Sequence, residues 1–461
     1  MDASAPTQAA SPLPIPDYPG HWLTGVLEER RRDPIGFFTR VAELGDVSRF
    51  RVVNTHVYGM NHPDAVKHVL VDNAQNYWKG SFAQFLKPLL GQGLLLADGE
   101  FWKRNRRIVQ PAFHREALGR MVEGMAEPVT RMVSRWSGSA EMKSAPFDLA
   151  PELMALTMSI VARALFTSDV TDRADGVREA LNRALSELNV RIVSSNPLRP
   201  LFPTRQQRAF REAVKALDEV VFRIIAARRA EGSPDGRHDL LAMLMQTEDA
   251  DTGEKMTDAQ LRDEVMTLFL AGHETTAGAL TFLFFVFSQH PGVEASVRTE
   301  LAGALQGRDL KISDLAKLPY TQRVIDETLR LYPPVWLFTR QAYREDVVLG
   351  HRLPPKAIIT VCPYSLHRDS RFWSEPERFD PDRFLPENVQ KRPRLAYVPF
   401  GGGQRLCIGN QFALLEMVLV LSRVLAKFHL KVEPGQTLEL QPMITIRAKH
   451  GLRVRLEPRS D

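Results

Sequence analysis

Cys407 stands in the stretch FGGGQRLCIG, residues 400–409, and is one of only 2 cysteines in 461 residues. Gly401, Gly402 and Gly403 remove side chains ahead of it, so the backbone there can lie close against something flat. Arg405 supplies a cation two residues away, and the apolar helix expected from about Gly409 to Phe428 points its positive end back at the sulfur. Those features favour a thiolate, which acts either as a nucleophile or as a metal ligand. The local sequence offers no base to activate a nucleophile. A single thiolate against a flat cofactor fits haem iron, where electron donation from sulfur favours O–O cleavage. The GxGxxG spacing of a phosphate-binding loop is not met, and no Walker-type lysine follows.

A second constellation, Ala271, Gly272, His273, Glu274, Thr275 and Thr276, lies in the middle of a long apolar segment from Asp258 to about Ser288. Thr257 or Asp258 can cap that helix and Pro291 follows it. Its apolar residues cover nearly every face, which predicts a helix through the core. A charge at Glu274 is costly there unless something compensates it.

The elements that must position these residues are mostly helical. Apolar residues at three and four spacing predict helices over 115–135, 150–166, 175–190, 206–230, 258–288, 293–305, 319–331 and 409–428. Strand-like alternation is short, in DVSRFRVV, HVYGM, ITVCPY and LRVRLE. SSNPLRPLFPTRQQ and RRAEGSPDGRHD read as surface loops. The expected fold is mainly α with a small β region: a proline-rich, flexible arm over residues 1–14, then one domain over 15–461.

Composition narrows the function classes. With 44% hydrophobic and 25% charged residues, the chain reads as an ordinary globular protein. Two cysteines cannot build a disulfide framework, and no Cys/His cluster marks a zinc site. The opening MDASAPTQAASPLPIPDYPG has neither a signal-peptide pattern nor a spanning apolar run, so a cytoplasmic chain without a membrane anchor is expected. The net charge of +5 comes with no nucleic-acid-binding motif. The densest basic run, Lys103, Arg104, Arg106 and Arg107 in FWKRNRR, is either a solvated helix face or a site that attracts an acidic protein.

FGGGQRLCIG resembles the haem-binding signature of the cytochrome P-450 family, FxxGxRxCxG, met at Phe400, Gly403, Arg405, Cys407 and Gly409. AGHETT is similar to the family's oxygen-activating helix pattern, ETLR with Glu327 and Arg330 to its ExxR motif, and PERF (376–379) follows in the expected order. Trp102 and Arg106 supply a WxxxR pair, and the resemblance covers residues 15–456. It implies the family fold, a triangular helical body around a buried haem b. It implies Cys407 as iron ligand, propionate contacts from Arg405, Arg106, Arg340 and Trp102, and Phe400, Ala271, Gly272, Gly401 and Gly409 against the cofactor.

By the same resemblance Glu274 and Thr275 are the acid and alcohol that bring protons to dioxygen in an otherwise dry core. Ala271 and Gly272 would leave room for oxygen. A threonine bonding back to its own helix turn fits Thr276 better than Thr275, and His273 reads as a polar residue on the helix back. Glu327 and Arg330 share a helix face at i and i+3, and Arg378 is expected to complete a structural charged triad. HRD, residues 367–369, lacks every other part of a kinase site.

The implied function is a haem-thiolate monooxygenase that inserts one atom of O2 into an apolar substrate. Family analogy draws the pocket from Phe82, Phe85, Leu86, Leu89, Phe269, Leu270, Val335, Trp336, Leu337, Phe338 and Met443, Ile444, Thr445. Such a lining suits a fatty acid, terpenoid, steroid or macrocycle, with Arg191 or Arg199 as holders of a carboxylate and a lean toward long aliphatic or terpenoid compounds. With no flavin or iron-sulfur domain in sight, electrons are expected from NAD(P)H through a separate reductase and a ferredoxin or flavodoxin, to a monomeric enzyme. A peroxide-driven peroxygenase or a haem isomerase would keep Cys407 without needing Glu274 and Thr275 together. The reading from another class is a non-catalytic haem sensor or carrier.

Overall fold

The long apolar segment becomes the axis on which the other elements are placed. The computed structural model describes residues 11–166, 180, 183, 184, 187, 188, 204–231 and 239–459. Among them, the helices of ten residues or more are α1 (Pro34–Glu43), α2 (Gly99–Val109), α3 (Arg115–Gly138), α4 (Leu149–Phe166), α5 (Arg205–Ala230), α6 (Asp258–Gln289), α7 (Pro291–Leu305), α8 (Pro319–Leu331) and α9 (Asn410–Lys427). A capping box starts α6: Gln260 N–H donates to Thr257 Oγ1, and Thr257 N–H donates to the Gln260 side chain. Pro291 then opens α7 directly after the His290 cap. Residues on every face of α6 are buried, as the unbroken apolar pattern predicts.

Helix α4 lies along α6. Thr157 Oγ1 donates to the His273 carbonyl at 2.8 Å, and a Cβ on Gly272 would come within 2.7 Å of Val161 Cγ2. Gly272 therefore serves helix packing and does not make room for oxygen, a correction to the sequence reading. Helices α4 and α6 are the two described helices long and apolar enough to cross a membrane, yet both are mostly buried inside the protein. Each fully buried residue such as Leu280 or Leu283 contributes about 1.5–3 kcal/mol to this packing.

Four small sheets border the helical body. Strands β1 (Val47–Val52), β2 (Thr55–Met60), β3 (Tyr77–Trp78), β5 (Phe338–Ala342) and β8 (Ile358–Val361) form one sheet in the order β1-β2-β8-β5-β3. Strand β4 (Phe147–Asp148) joins β9 (Phe428–Val432) and β12 (Arg453–Pro458) in the order β4-β12-β9, while β6 (Asp346–Val348) pairs with β7 (His351–Leu353) and β10 (Leu440–Pro442) with β11 (Ile446–Ala448). The four alternating stretches seen in the sequence become β1, β2, β8 and β12. Strand β5 carries no clean alternation, yet it holds Arg340 opposite Ile359 of β8.

Two loop expectations change. Thr204 forms a capping box with Gln207, so TRQQ opens α5 instead of continuing a loop. Residues 228–230 are likewise the end of α5, and Asp239 caps the helix Leu240–Gln246, with 232–238 outside the described residues. Most of the expected helix over 175–190, and Arg191 and Arg199, also lie outside them. At the other end, Leu13 N–H donates to Gly350 O at 2.9 Å, so the arm is tied to the β6–β7 turn by that point.

Candidate functional site

The Cys407 loop is shaped mainly by its own backbone. Gly401 and Gly403 have φ values of +72° and +65°, which favour glycine on conformation alone. A Cβ on Gly403 would also collide with the Leu70 carbonyl, whereas one on Gly401 would meet nothing within 4 Å. Only Gly401 of these two therefore borders open space, and Gly403 is needed for close packing on the segment around Leu70. Cys407 N–H donates to Phe400 O at 3.0 Å, closing the loop, and Gly409 caps α9. Cys407 is exposed, although Phe400 and Ile408 near it in the chain pack against the core.

Burial pushes the Cys407 thiol up from its ordinary value, while the Gly409 N–H, Arg106 and Lys79 pull it back down. Of these influences desolvation is the largest, ahead of the helix-end and cation effects. Arg106 Nη1 donates to Leu406 O at 3.0 Å, which seats its guanidinium beside the sulfur.

Four cations converge near this loop. Arg405 donates to Ala97 O at 2.8 Å, pairs with Asp98 and stacks over Trp102, 4.5 Å from the ring centroid. Arg340 is buried at 6% exposure, and its recorded hydrogen bond goes to the carbonyl of Thr339. Burial first, then the neighbouring Arg405 charge, pulls Arg340 down to about 10. Lys79 is pushed well below its ordinary value by burial and by Arg340 and Arg405. Against Lys79, Arg340, Arg405 and Arg106, Asp98 is the carboxylate that acts on the first three. So concentrated a positive charge is stable only beside an anionic partner, and a planar group with two carboxylates on one edge fits. The thiol facing the cleft and this cation cluster are what haem requires. Lys79 and Asp98 were missed in the sequence because a lone lysine after YW and an aspartate before a helix carry no motif.

On α6, Glu274 is buried at 4% exposure and accepts from Arg447 Nε at 2.8 Å and from Thr445 Oγ1. This is the compensation the sequence demanded, and it comes from β11 and the turn before it. Thr275 Oγ1 donates to the Ala271 carbonyl at 2.7 Å. The back-bonded threonine is therefore Thr275 and not Thr276, contrary to expectation, because Thr276 turns toward the buried Glu416 carboxyl of α9. Ala271 keeps exposed surface. His273 is fully buried against α4 and stacks on Phe269 at 6.1 Å; burial pulls its ring below the ordinary value.

The ETLR helix α8 forms a closed charge network. Glu327 pairs bidentately with Arg330 at 2.6 and 2.8 Å, both residues being fully buried. Arg330 donates onward to the carbonyls of His367 (2.8 Å), Pro376 (2.6 Å) and Arg378 (3.1 Å). The third member of the charged triad is Arg383, 3.3 Å from Glu327. Arg378 offers only its carbonyl, since its side chain points to Glu375 in an exposed pair. His367, part of the discarded HRD match, accepts the Val398 N–H at 2.8 Å and so links this network to the segment that leads into the Cys407 loop.

The pocket residues divide. Phe269, Leu270 and Leu89 are buried, Leu86 and Val335 partly so, and Phe85 is 47% exposed. The side chain of Phe82 lies outside the described residues. Trp336 packs edge-on against Phe38 and belongs with Leu337 to the cluster beside α1. Phe338 lies under the Arg340 guanidinium, 5.3 Å away. Ile444 is half-buried, and Thr445 is spent on Glu274.

The basic run on α2 is compensated within the chain. Lys103 pairs with Glu100, Arg104 with Glu254, and Arg107 with Asp249 and Asp251. It is a neutralised helix face, not a free positive patch.

The chain is similar to known proteins over nearly its whole length. The family model described as Cytochrome P450 matches residues 15–451. Cyclooctatin synthase of Streptomyces melanosporofaciens is 36% identical over 93% of this chain and 92% of its own length. Pentalenene oxygenase of Streptomyces avermitilis is 33% identical over 95% and 96%. The crystal structure of the cytochrome P450DA heme domain matches 98% of this chain and 99% of that one with a TM-score of 0.88 and 26% identity.

Proposed function

That this chain belongs to the cytochrome P-450 family, and is a haem monooxygenase acting on hydrophobic substrates, is the premise from which we propose its site chemistry, substrate and partners. Bound haem supplies the iron at which O2 is activated, one oxygen atom entering the substrate and the other leaving as water. In this reading Cys407 is the iron ligand, and Lys79, Arg106, Arg340 and Arg405, with Trp102 beneath Arg405, hold the two carboxylates. Phe400, Gly401 and Gly409 shape the loop beneath, and Ala271 borders the opposite side. The observation that carries it is the cation cluster with one shared carboxylate beside an accessible thiol.

Protons reach the cleft through α6. The Thr275 O–H is committed to Ala271 O, so its lone pairs accept a hydrogen bond from water and hold that water in place. Glu274 carries the proton. Thr275→Ala should divert reducing equivalents to hydrogen peroxide, and a variant that keeps full reductase-dependent coupling would refute the role.

The substrate we propose is a cyclic isoprenoid hydrocarbon or its alcohol. The relatives' names support it: pentalenene denotes an unsaturated hydrocarbon, and Cyclooctat-9-en-7-ol 5-monooxygenase of Streptomyces melanosporofaciens, 32% identical over 88% of this chain, names a cyclic alkenol. Buried Phe269, Leu270 and Leu89 suit such a skeleton. A library of cyclic terpenes and fatty acids, screened for the spin-state shift on displacement of iron-bound water, tests it; shifts confined to fatty acids would overturn it. Electrons come from NAD(P)H through a separate reductase and a ferredoxin or flavodoxin, to a cytoplasmic monomer built as one domain over 15–461 behind an arm at 1–14. The chain covers 92% of cyclooctatin synthase and 96% of pentalenene oxygenase, which supports a single P-450 domain over the matched span.

A further inference from the structure

Glu274 belongs to α6, but the groups that hold it come from the β10–β11 hairpin. Its Oε1 accepts from Arg447 Nε at 2.8 Å, lies 2.7 Å from Arg447 Nη2 and accepts from Thr445 Oγ1. All three contacts land on one oxygen, and Oε2 takes none of them. Glu274 is buried, whereas the Arg447 side chain is 33% exposed, so the guanidinium reaches inward from the surface. The hairpin is itself fixed. Ile446 N–H donates to Pro334 O at 2.9 Å, and Trp336 Nε1–H donates to Met443 O at 3.0 Å. A Cβ on Gly278, one turn further along α6, would sit 3.4 Å from Ile446 O, so the hairpin lies directly against the helix.

We infer that Arg447, assisted by Thr445, is the positioning residue for Glu274 and sets when that carboxylate can pass a proton. The inference rests on the reading of Glu274 as the proton-carrying acid. A carboxylate whose Oε1 is clamped by a guanidinium and a hydroxyl is held in one orientation, so proton traffic must use Oε2 or wait until the clamp loosens. Loosening needs no unfolding, because Arg447 has water on one side and a flexible stem. The turn that carries Thr445 also carries Met443 and Ile444, beside the proposed pocket. A substrate that displaces this turn therefore displaces the clamp, which ties proton delivery to pocket occupancy.

The test uses the haem-loaded enzyme with a surrogate reductase and four variants: Arg447→Gln, Arg447→Lys, Thr445→Val and Glu274→Gln. Arg447→Gln should raise the share of NADPH electrons released as hydrogen peroxide at least threefold and change the solvent isotope effect on NADPH oxidation. Its haem content should stay within twofold of the parent. The infrared carboxylate stretch of Glu274, identified by its loss in Glu274→Gln, should shift in Arg447→Gln without any turnover. Arg447→Lys should restore coupling to within twofold, and Thr445→Val should show the same changes at smaller size. An unshifted band with an unchanged peroxide share in Arg447→Gln overturns the inference. If that variant does not fold, an unshifted band and unchanged coupling in Thr445→Val do the same. Full coupling in Glu274→Gln overturns the reading of Glu274 itself, whereas uncoupling in Glu274→Gln alone removes only the role of Arg447.

Discussion

The protein buries two clusters of charge that differ in how they are balanced. Around Glu327 and Arg330 every charge has its partner inside the chain: a bidentate pair, three carbonyls, the Asp380 N–H and Arg383. Around Arg340 and Arg405, cations outnumber the carboxylate Asp98 and repel one another. The first cluster is complete as folded and fixes a scaffold. The second lacks that internal balance, and this is why we propose it as the holder of the haem carboxylates. Buried charge alone does not identify a binding site; the imbalance does.

The largest effect should come from opening the closed cluster. Glu327→Ala leaves Arg330 as an unpaired buried cation and should cost about 3–5 kcal/mol, read by chemical denaturation. A third kind of buried charge sharpens the contrast. Glu264 of α6 is buried, accepts from the Leu94 N–H and the Asn105 side chain at 3.0 Å each, and has no ion-pair partner among the described residues. Burial raises it to about 7, so the folded state binds a proton more tightly than the unfolded state does. Its stabilising contribution is present below the unfolded value and is lost as pH rises through about 7. Across that window the parent should lose up to about 3 kcal/mol relative to Glu264→Gln. Asn105 Oδ1 is buried and unpartnered, so an amide flip lets it accept from the new glutamine.

Next comes the open cluster. Arg340→Met removes one of the repelling cations, so the haem-free chain should gain on the order of 2 kcal/mol, while haem transfer to a scavenger globin should quicken about tenfold, or 1.4 kcal/mol. Opposite signs with and without the cofactor are the outcome that separates an open cluster from a closed one. The smallest effect tests the reassigned triad: Arg378→Ala should change stability by less than about 0.5 kcal/mol, while Arg383→Ala should cost more in the same denaturation assay.

Much of this architecture is legible in the residues. Helices α3 to α9, where apolar spacing is regular and caps are explicit, follow the sequence to within a few residues, and the motif around Cys407 marks the cofactor loop. Strand β5 is not legible, because its short FTRQA run has no alternation and forms through pairing with β8. Lys79 and Asp98 stay hidden for a related reason: their role depends on chain crossings that no local spacing encodes. Arg378 misleads because a motif arginine can act through its carbonyl while its side chain faces water.

The sequence by itself determined the helical body, the cysteine loop, the ExxR pair and the placement of Glu274 and Thr275 in the middle of the core helix, since periodicity, caps and motifs are local properties of the chain. Only the tertiary structure decided which charges meet. It brought Arg447 and Thr445 to Glu274, Arg383 to Glu327, and Lys79, Arg340 and Arg405 to one cleft around Asp98. Electrostatic interactions act through space, and the distances that set them are fixed only when distant segments pack.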